Sequence, residues 1–221
     1  MIQVYNLNKS YQKDSSAVRD LTLKVAKGEF VYITGPSGAG KSTLLKLLFA
    51  AEKPSRGQIL INGQNLTRMN GKKIALMRRR LGVVFQDFKL INSRSVFENV
   101  AFPLEIQGKK RYEVSNKVYQ VLKLVGLEHK IKRYPLELSG GEQQRIAIAR
   151  ALVIDPLVLI ADEPTGNLDP DNTCEVMELF KGANARGTTV LLATHDRDII
   201  RRFPRRVLTL DQGRLVRDLT P

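Results

Sequence analysis

The sequence predicts an α/β fold on a mostly parallel sheet, with an antiparallel β region at its N-terminus and an inserted α-helical subdomain. Three observations predict it. Short apolar runs recur at Glu29 to Thr34, Gly82 to Phe85, Leu157 to Ala161 and Thr188 to Thr194, the pattern of strands buried on both faces. Helical stripes separate the later runs, as at Tyr112 to Val125, where Val114, Val118, Val121, Leu122 and Val125 share one face. Upstream, Leu21, Leu23 and Val25 alternate with polar residues, the signature of a half-exposed strand.

Taken in order, Ile2 to Leu7 and Val18 to Val25 are predicted strands joined by a polar turn, Lys13 to Ser16. Tyr11 is placed on the loop between them, where a ring can stack on a purine base or simply pack. The next strand runs into Gly35-Pro36-Ser37-Gly38-Ala39-Gly40-Lys41-Ser42, which fills every position of the G-x-x-x-x-G-K-[ST] pattern. Its glycines turn backbone N–H groups toward phosphate oxygens, and the helix that follows, opening with Ser42 and Thr43, offers its N-terminal dipole to the same anion. In that setting Lys41 reaches the β- and γ-phosphates and Ser42 holds Mg²⁺.

Beyond it, Asn62-Gly63 signals a two-residue hairpin, and Lys72 to Leu81 reads as a basic helix with Ile74, Met77 and Leu81 inward. Gln86 then stands at a strand's carboxyl end, where open α/β sheets place ligand contacts. Asp87 to Gln107 is rich in apolar residues without a clean period and is taken as a docking surface. Ser139 and Glu142 are spaced as a capping box that opens a helix to about Val153, and Gly140 and Gly141 bring bare backbone donors to that helix start, a second anion site. Leu157 to Ala161 delivers Asp162 and Glu163 to a strand end. Two buried acids are costly there unless Asp162 binds a metal and Glu163 orients or deprotonates water. Asn172 to Lys181 is a predicted helix, His195 ends the last buried strand, and Arg206 to Leu210 with Arg214 to Val216 form a closing hairpin.

Composition narrows the setting. The 221 residues suit one large domain, and the single cysteine and two histidines exclude an internal disulfide and leave no set for structural zinc. No apolar run reaches about 18 residues, so a membrane role requires a partner. With 36 Lys and Arg against 22 Asp and Glu, the net charge of +14 calls for an anionic counterpart: nucleotide, a membrane face or nucleic acid.

Together the phosphate loop, Gln86, LSGGEQQ, LVLIADE, NLD and His195 resemble the nucleotide-binding subunits of ATP-binding cassette (ABC) transporters, in that order over essentially the whole chain. The LSGGEQQ segment is the specific marker. The resemblance implies a P-loop NTPase whose core spans 1–87 and 157–221, with a helical subdomain at 88–156. It implies ATP and Mg²⁺ as ligands, Tyr11 as the base-stacking aromatic, Gln86 and Asp162 at the metal, Glu163 as catalytic carboxylate and His195 at the γ-phosphate. It further implies a head-to-tail homodimer, in which Ser139, Gly140, Gly141 and Glu142 of one copy cover the phosphates held by the other and Asp169 bridges the two. Within the family, Val84 to Leu104 and the tail Arg205 to Leu215 are most similar to the cell-division, FtsE-type branch, ahead of lipoprotein-releasing and macrolide-exporter ATPases; Ser95 departs from the threonine usual there. That branch implies an FtsX-like transmembrane subunit as partner, a position on the cytoplasmic face of an anionic inner membrane, and no nucleic acid.

Overall fold

In a computed structural model the described residues are 1–12 and 15–221. Of the predicted turn Lys13 to Ser16, Lys13 and Asp14 lie outside them, and Ser15 and Ser16 belong to a strand instead. The first sheet joins β1 (Ile2–Gln12), β2 (Ser15–Val25), β4 (Arg56–Ile61) and β5 (Gln64–Asn65) in the order β2-β1-β4-β5, all antiparallel. β1 is longer than its apolar alternation suggests. It carries Tyr11 within the strand rather than on a loop, because pairing with β2 continues past Leu7 through register shifts. Asn62 and Gly63 both take positive φ, 49° and 75°, between paired Ile61 and Gln64, the type I′ hairpin that their identities predict.

The second sheet holds β3 (Phe30–Thr34), β6 (Leu81–Val84), β7 (Val158–Asp162), β8 (Thr189–Ala193), β9 (Arg206–Asp211) and β10 (Arg214–Leu219), ordered β10-β9-β3-β8-β7-β6. All pairs are parallel except β10 on β9. β3 divides the two cores by its period of two: Phe30 and Tyr32 face one, Val31 and Ile33 the other. The Tyr32 hydroxyl donates to the Phe203 carbonyl at 3.0 Å, and burial pushes its pKa up to about 12.

Helix α1 (Lys41–Leu48) buries Leu44, Leu45, Leu47 and Leu48 against the antiparallel side. Helix α2 (Gly71–Arg78) ends before Leu81, which opens β6 instead of extending the helix; of the predicted inner face Met77 and Leu81 are buried and Ile74 is half-buried. The aperiodic stretch after Gln86 contains a helix, α3 (Val96–Ile106), opened by a reciprocal Ser95–Glu98 capping box and tolerating Pro103 near its end. Behind that helix start, buried Asn99 donates to the carbonyls of Ile91, Arg94 and Ser95 and accepts from Ile91 N–H. Helices α4 (Arg111–Leu124), α5 (Gly140–Leu152) and α6 (Pro170–Ala185) complete the second core. α6 starts two residues earlier than expected, since Asp169 caps it and Pro170 fits its first turn, and it runs on to Ala185. A short helix that the sequence reading did not place, α7 (Arg197–Arg202), is capped by Asp196.

Candidate nucleotide site

The strand order β3-β8-β7-β6 lines up four carboxyl ends side by side, so the loop after each strand meets the others at one edge of the sheet. A cavity of about 660 Å³ opens there, lined by Ala17, Gly35 to Thr43, Gln86, Glu163 and His195. Gly35 has φ 145°, and a Cβ on it would lie 2.1 Å from the Leu210 carbonyl oxygen, so the loop can leave β3 only through glycine. Lys41 is buried to 9% exposure, and its Nζ donates to the carbonyls of Gly35 at 2.8 Å and Pro36 at 3.1 Å. These contacts hold the ammonium against the loop's own carbonyls.

Asp162 ends β7 with Oδ1 buried and without a hydrogen-bond partner among the described residues. Burial raises its pKa, opposed by a hydrogen bond from Ser42 and by Lys41. An unpaired carboxylate oxygen next to a hydroxyl is a donor set suited to a small, oxygen-seeking cation that keeps substrate phosphates in its shell, so the residues fit Mg²⁺. Glu163 has φ 47°, a left-handed conformation uncommon for its type, and its N–H donates to Ala193 O. This kink turns the carboxylate toward His195, whose Nδ1 lies 2.9 Å from Oε1. A carboxylate only accepts, so Nδ1 carries a proton and donates it to Oε1.

The signature segment, LSGGEQQ at Leu138 to Gln144, lies elsewhere. Ser139 Oγ accepts from Glu142 N–H at 3.3 Å, Glu142 Oε2 accepts from Ser139 N–H at 2.9 Å, and Ser139 and Gly140 are exposed. The hydrogen bond from Lys130, with those from Ser139, holds the Glu142 carboxyl below the usual range. None of residues 139–142 lines the phosphate cavity. A Cβ on Gly141 would fall 2.4 Å from Asn172 Oδ1. That amide also accepts from Arg145 at 2.8 Å and donates to Asp169 at 2.6 Å, so the start of α5 and the Asp169 turn are tied together. Tyr11 is half-exposed, with the Lys9 ammonium 4.8 Å from its ring centroid, and does not line the cavity.

Two residues to which the sequence reading assigned no individual role tie this edge together. Arg150 of α5 donates to the carbonyls of Phe88 and Lys89, both of which have positive φ, and so pins the loop after Gln86. Gln144, fully buried, donates to Pro164 O at 2.6 Å. Gln144 closes the LSGGEQQ segment and Arg150 lies farther along the same helix, and neither position signals locally which carbonyl it meets.

Residues 18–166 match the family model described as ABC transporter. The cell-division ATP-binding proteins FtsE of Streptococcus pneumoniae and Bacillus subtilis are each 49% identical to the chain over 99% of its length, covering 95% and 96% of theirs. The FtsE of Escherichia coli is 45% identical, covering 97% of each chain. The methionine import ATP-binding protein MetN of Francisella tularensis is 43% identical over 97% of this chain and 63% of its own. The ATP-binding cassette MJ0796, in a dimeric post-hydrolysis state bound to ADP and Pi, superposes with a TM-score of 0.92 at 35% identity, covering 100% of this chain and 98% of its own. The chain belongs to the ABC transporter family and, within it, to the FtsE group of ATP-binding cassettes.

Proposed function

We propose that this ATPase holds ATP and Mg²⁺ in the cavity above α1 and hydrolyses ATP only when a second copy closes over it. The observation that carries this reading is the separation of the parts: one cavity gathers Lys41, Ser42, Gln86, Glu163 and His195, while the capped, exposed start of α5 points outside it. Two anion-binding helix ends that do not share a site within one chain fit a site completed between two chains.

Lys41 leaves its loop carbonyls to pair with the β- and γ-phosphates. Ser42, Asp162 and Gln86 would hold Mg²⁺, which neutralises charge on the phosphate oxygens. Glu163, kept in place by its kinked backbone and by His195, accepts hydrogen from the attacking water, and His195 Nε2–H, once protonated, donates to the γ-phosphate. Ser139, Gly140, Gly141 and Glu142 of the other copy cover that phosphate, Asp169 bridges the pair, and Tyr11 stacks on the base. The division into a core at 1–87 and 157–221 and a helical subdomain at 88–156 separates the phosphate loop from the signature helix. Glu163→Gln tests the assignment: ATP binding persists while turnover falls by about 10²-fold or more. Unchanged turnover removes Glu163 from the role.

The partner reading follows from a groove of about 540 Å³ lined mainly by apolar atoms of Leu81, Phe85, Ile91, Phe102, Pro103 and Ile106. Only part of the predicted stretch contributes, because Val96, Val100 and Leu104 turn into the core. Phe85 lines this groove and Gln86 lines the phosphate cavity, so an amphipathic helix of an FtsX-like transmembrane subunit seated here would be one residue from the nucleotide. Among the described residues no helix is long and apolar enough to cross a membrane. Attachment to the cytoplasmic face of the inner membrane therefore runs through that subunit, aided by the +14 charge against anionic lipid. The division role of the FtsE relatives then extends to this chain, as control of cell-wall hydrolysis through the membrane partner.

A further inference from the structure

Gln144 lies in the second turn of α5, whose N-terminus carries Ser139 and Gly141, and it is fully buried. Its Nε2 donates to Pro164 O at 2.6 Å, a bond that crosses from the signature helix to the residue directly after Glu163. The orientation of the amide is fixed by chemistry, since proline offers a carbonyl and no N–H, so the NH₂ end must face it. The other end, Oε1, is buried without a partner among the described residues.

Fold stability alone does not account for this arrangement. A buried amide with an unmet acceptor is less favourable than an apolar side chain of the same length, and Ile146, Ala147, Ile148 and Ala149 around it show that the core accepts such residues. What the amide supplies is one directional tie between two elements that belong to different nucleotide sites. The start of α5 faces the phosphates held by the other copy, whereas Pro164 follows the carboxylate of this chain's own site. Glu163 sits at φ 47°, a conformation that persists only when its surroundings fix it, and Pro164, whose carbonyl Gln144 holds, is the next residue along the backbone.

We infer that Gln144 is a positioning residue for hydrolysis, one that sets the Glu163 carboxylate from the signature helix, so that closure over one ATP aligns the base at the other. The inference rests on the roles proposed above for Glu163 and for residues 139–142. It assigns Gln144 no contact with substrate.

The test compares the full chain with Gln144→Met, which keeps the length and loses the bond, and with Gln144→Glu, which donates to Pro164 O only while its carboxyl is protonated. Burial favours that protonated form, so the bond returns as pH falls. Expected in Gln144→Met are a kcat at least tenfold lower, a KM for ATP within twofold of the parent and undiminished ATP-driven dimer formation. Gln144→Glu recovers kcat relative to the parent toward the acid side of the profile, and Gln144→Met does not. A kcat for Gln144→Met within twofold of the parent overturns the inference, as does a ratio for Gln144→Glu that stays flat with pH. If Gln144→Met fails to fold, the acid limb of Gln144→Glu decides alone. Glu163→Gln run in parallel separates the two readings: if it stays active the site assignment fails, and if it is inactive while Gln144→Met is normal only the present inference fails.

Discussion

Asp162 and Glu163 are neighbours in sequence and opposite in circumstance. The strand carries Asp162 into burial with one oxygen unpaired among the described residues, whereas the kink at Glu163 brings its carboxylate out to His195. Loss of the metal-facing charge is therefore expected to act differently from loss of the base. In Asp162→Asn, nucleotide affinity becomes nearly independent of added Mg²⁺, readable by titrating ATP with and without chelator, while Glu163→Gln retains the Mg²⁺ dependence. Gly35 supplies a second prediction. An alanine there meets the Leu210 carbonyl at 2.1 Å in a backbone region closed to side chains, so Gly35→Ala should destabilise the fold by about 1–3 kcal/mol or more and abolish nucleotide binding, measured by denaturant unfolding and by ATP titration. These residues were legible in the sequence because their chemistry is local: a loop pattern and acids at the end of an apolar strand. Gln144 and Arg150 were not, since each is defined by a backbone carbonyl at least 20 residues away that only the packed structure brings near.

Elements were read well where period and punctuation agreed and poorly where burial on several sides erased the period. The strands of the parallel sheet, the Asn62-Gly63 hairpin and α5 follow their sequence signals closely. α3 did not declare itself, because Val96, Phe97, Val100, Ala101, Phe102 and Leu104 cover most of its circumference and Pro103 argues against a helix. The Ser95-x-x-Glu98 spacing was the one available sign, the same capping pattern that identified α5. The start of α5 should itself be acid-sensitive. The bond from Lys130, with those from Ser139, lowers the folded pKa of Glu142 below its unfolded value, so the stabilisation is complete above the ordinary glutamate range near 4.3 and is lost as pH falls through the lowered folded value. In Glu142→Gln, stability should depend less steeply on pH in that acid window. Ser139→Ala should cost about 1 kcal/mol at neutral pH through the lost cap, both read from denaturant midpoints.

At the scale of the molecule, the proposed function makes the nine phosphate-loop residues that line the cavity one half of an assembly. Gly141 packs on Asn172, Asn172 holds Asp169, Arg150 holds the loop after Gln86 and Gln144 holds Pro164, so one helix touches every segment that the nucleotide or the other copy would move. The central claim is that each nucleotide is served by two chains, and mixing two inactive variants tests it most directly. Lys41→Ala disables the phosphate loop and Ser139→Arg blocks the signature helix, so every site in either homodimer is defective. A mixed dimer contains one site in which an intact loop meets an intact signature. Equal mixing should raise ATPase activity above the sum of the two inactive proteins, with about a quarter of the parental rate as the ceiling, since half the dimers are mixed and each has one good site of two, and the tie through Gln144 keeps the rate below that ceiling. Activity that stays at the sum of the two inactive proteins, with mixed dimers shown to form, would contradict the account.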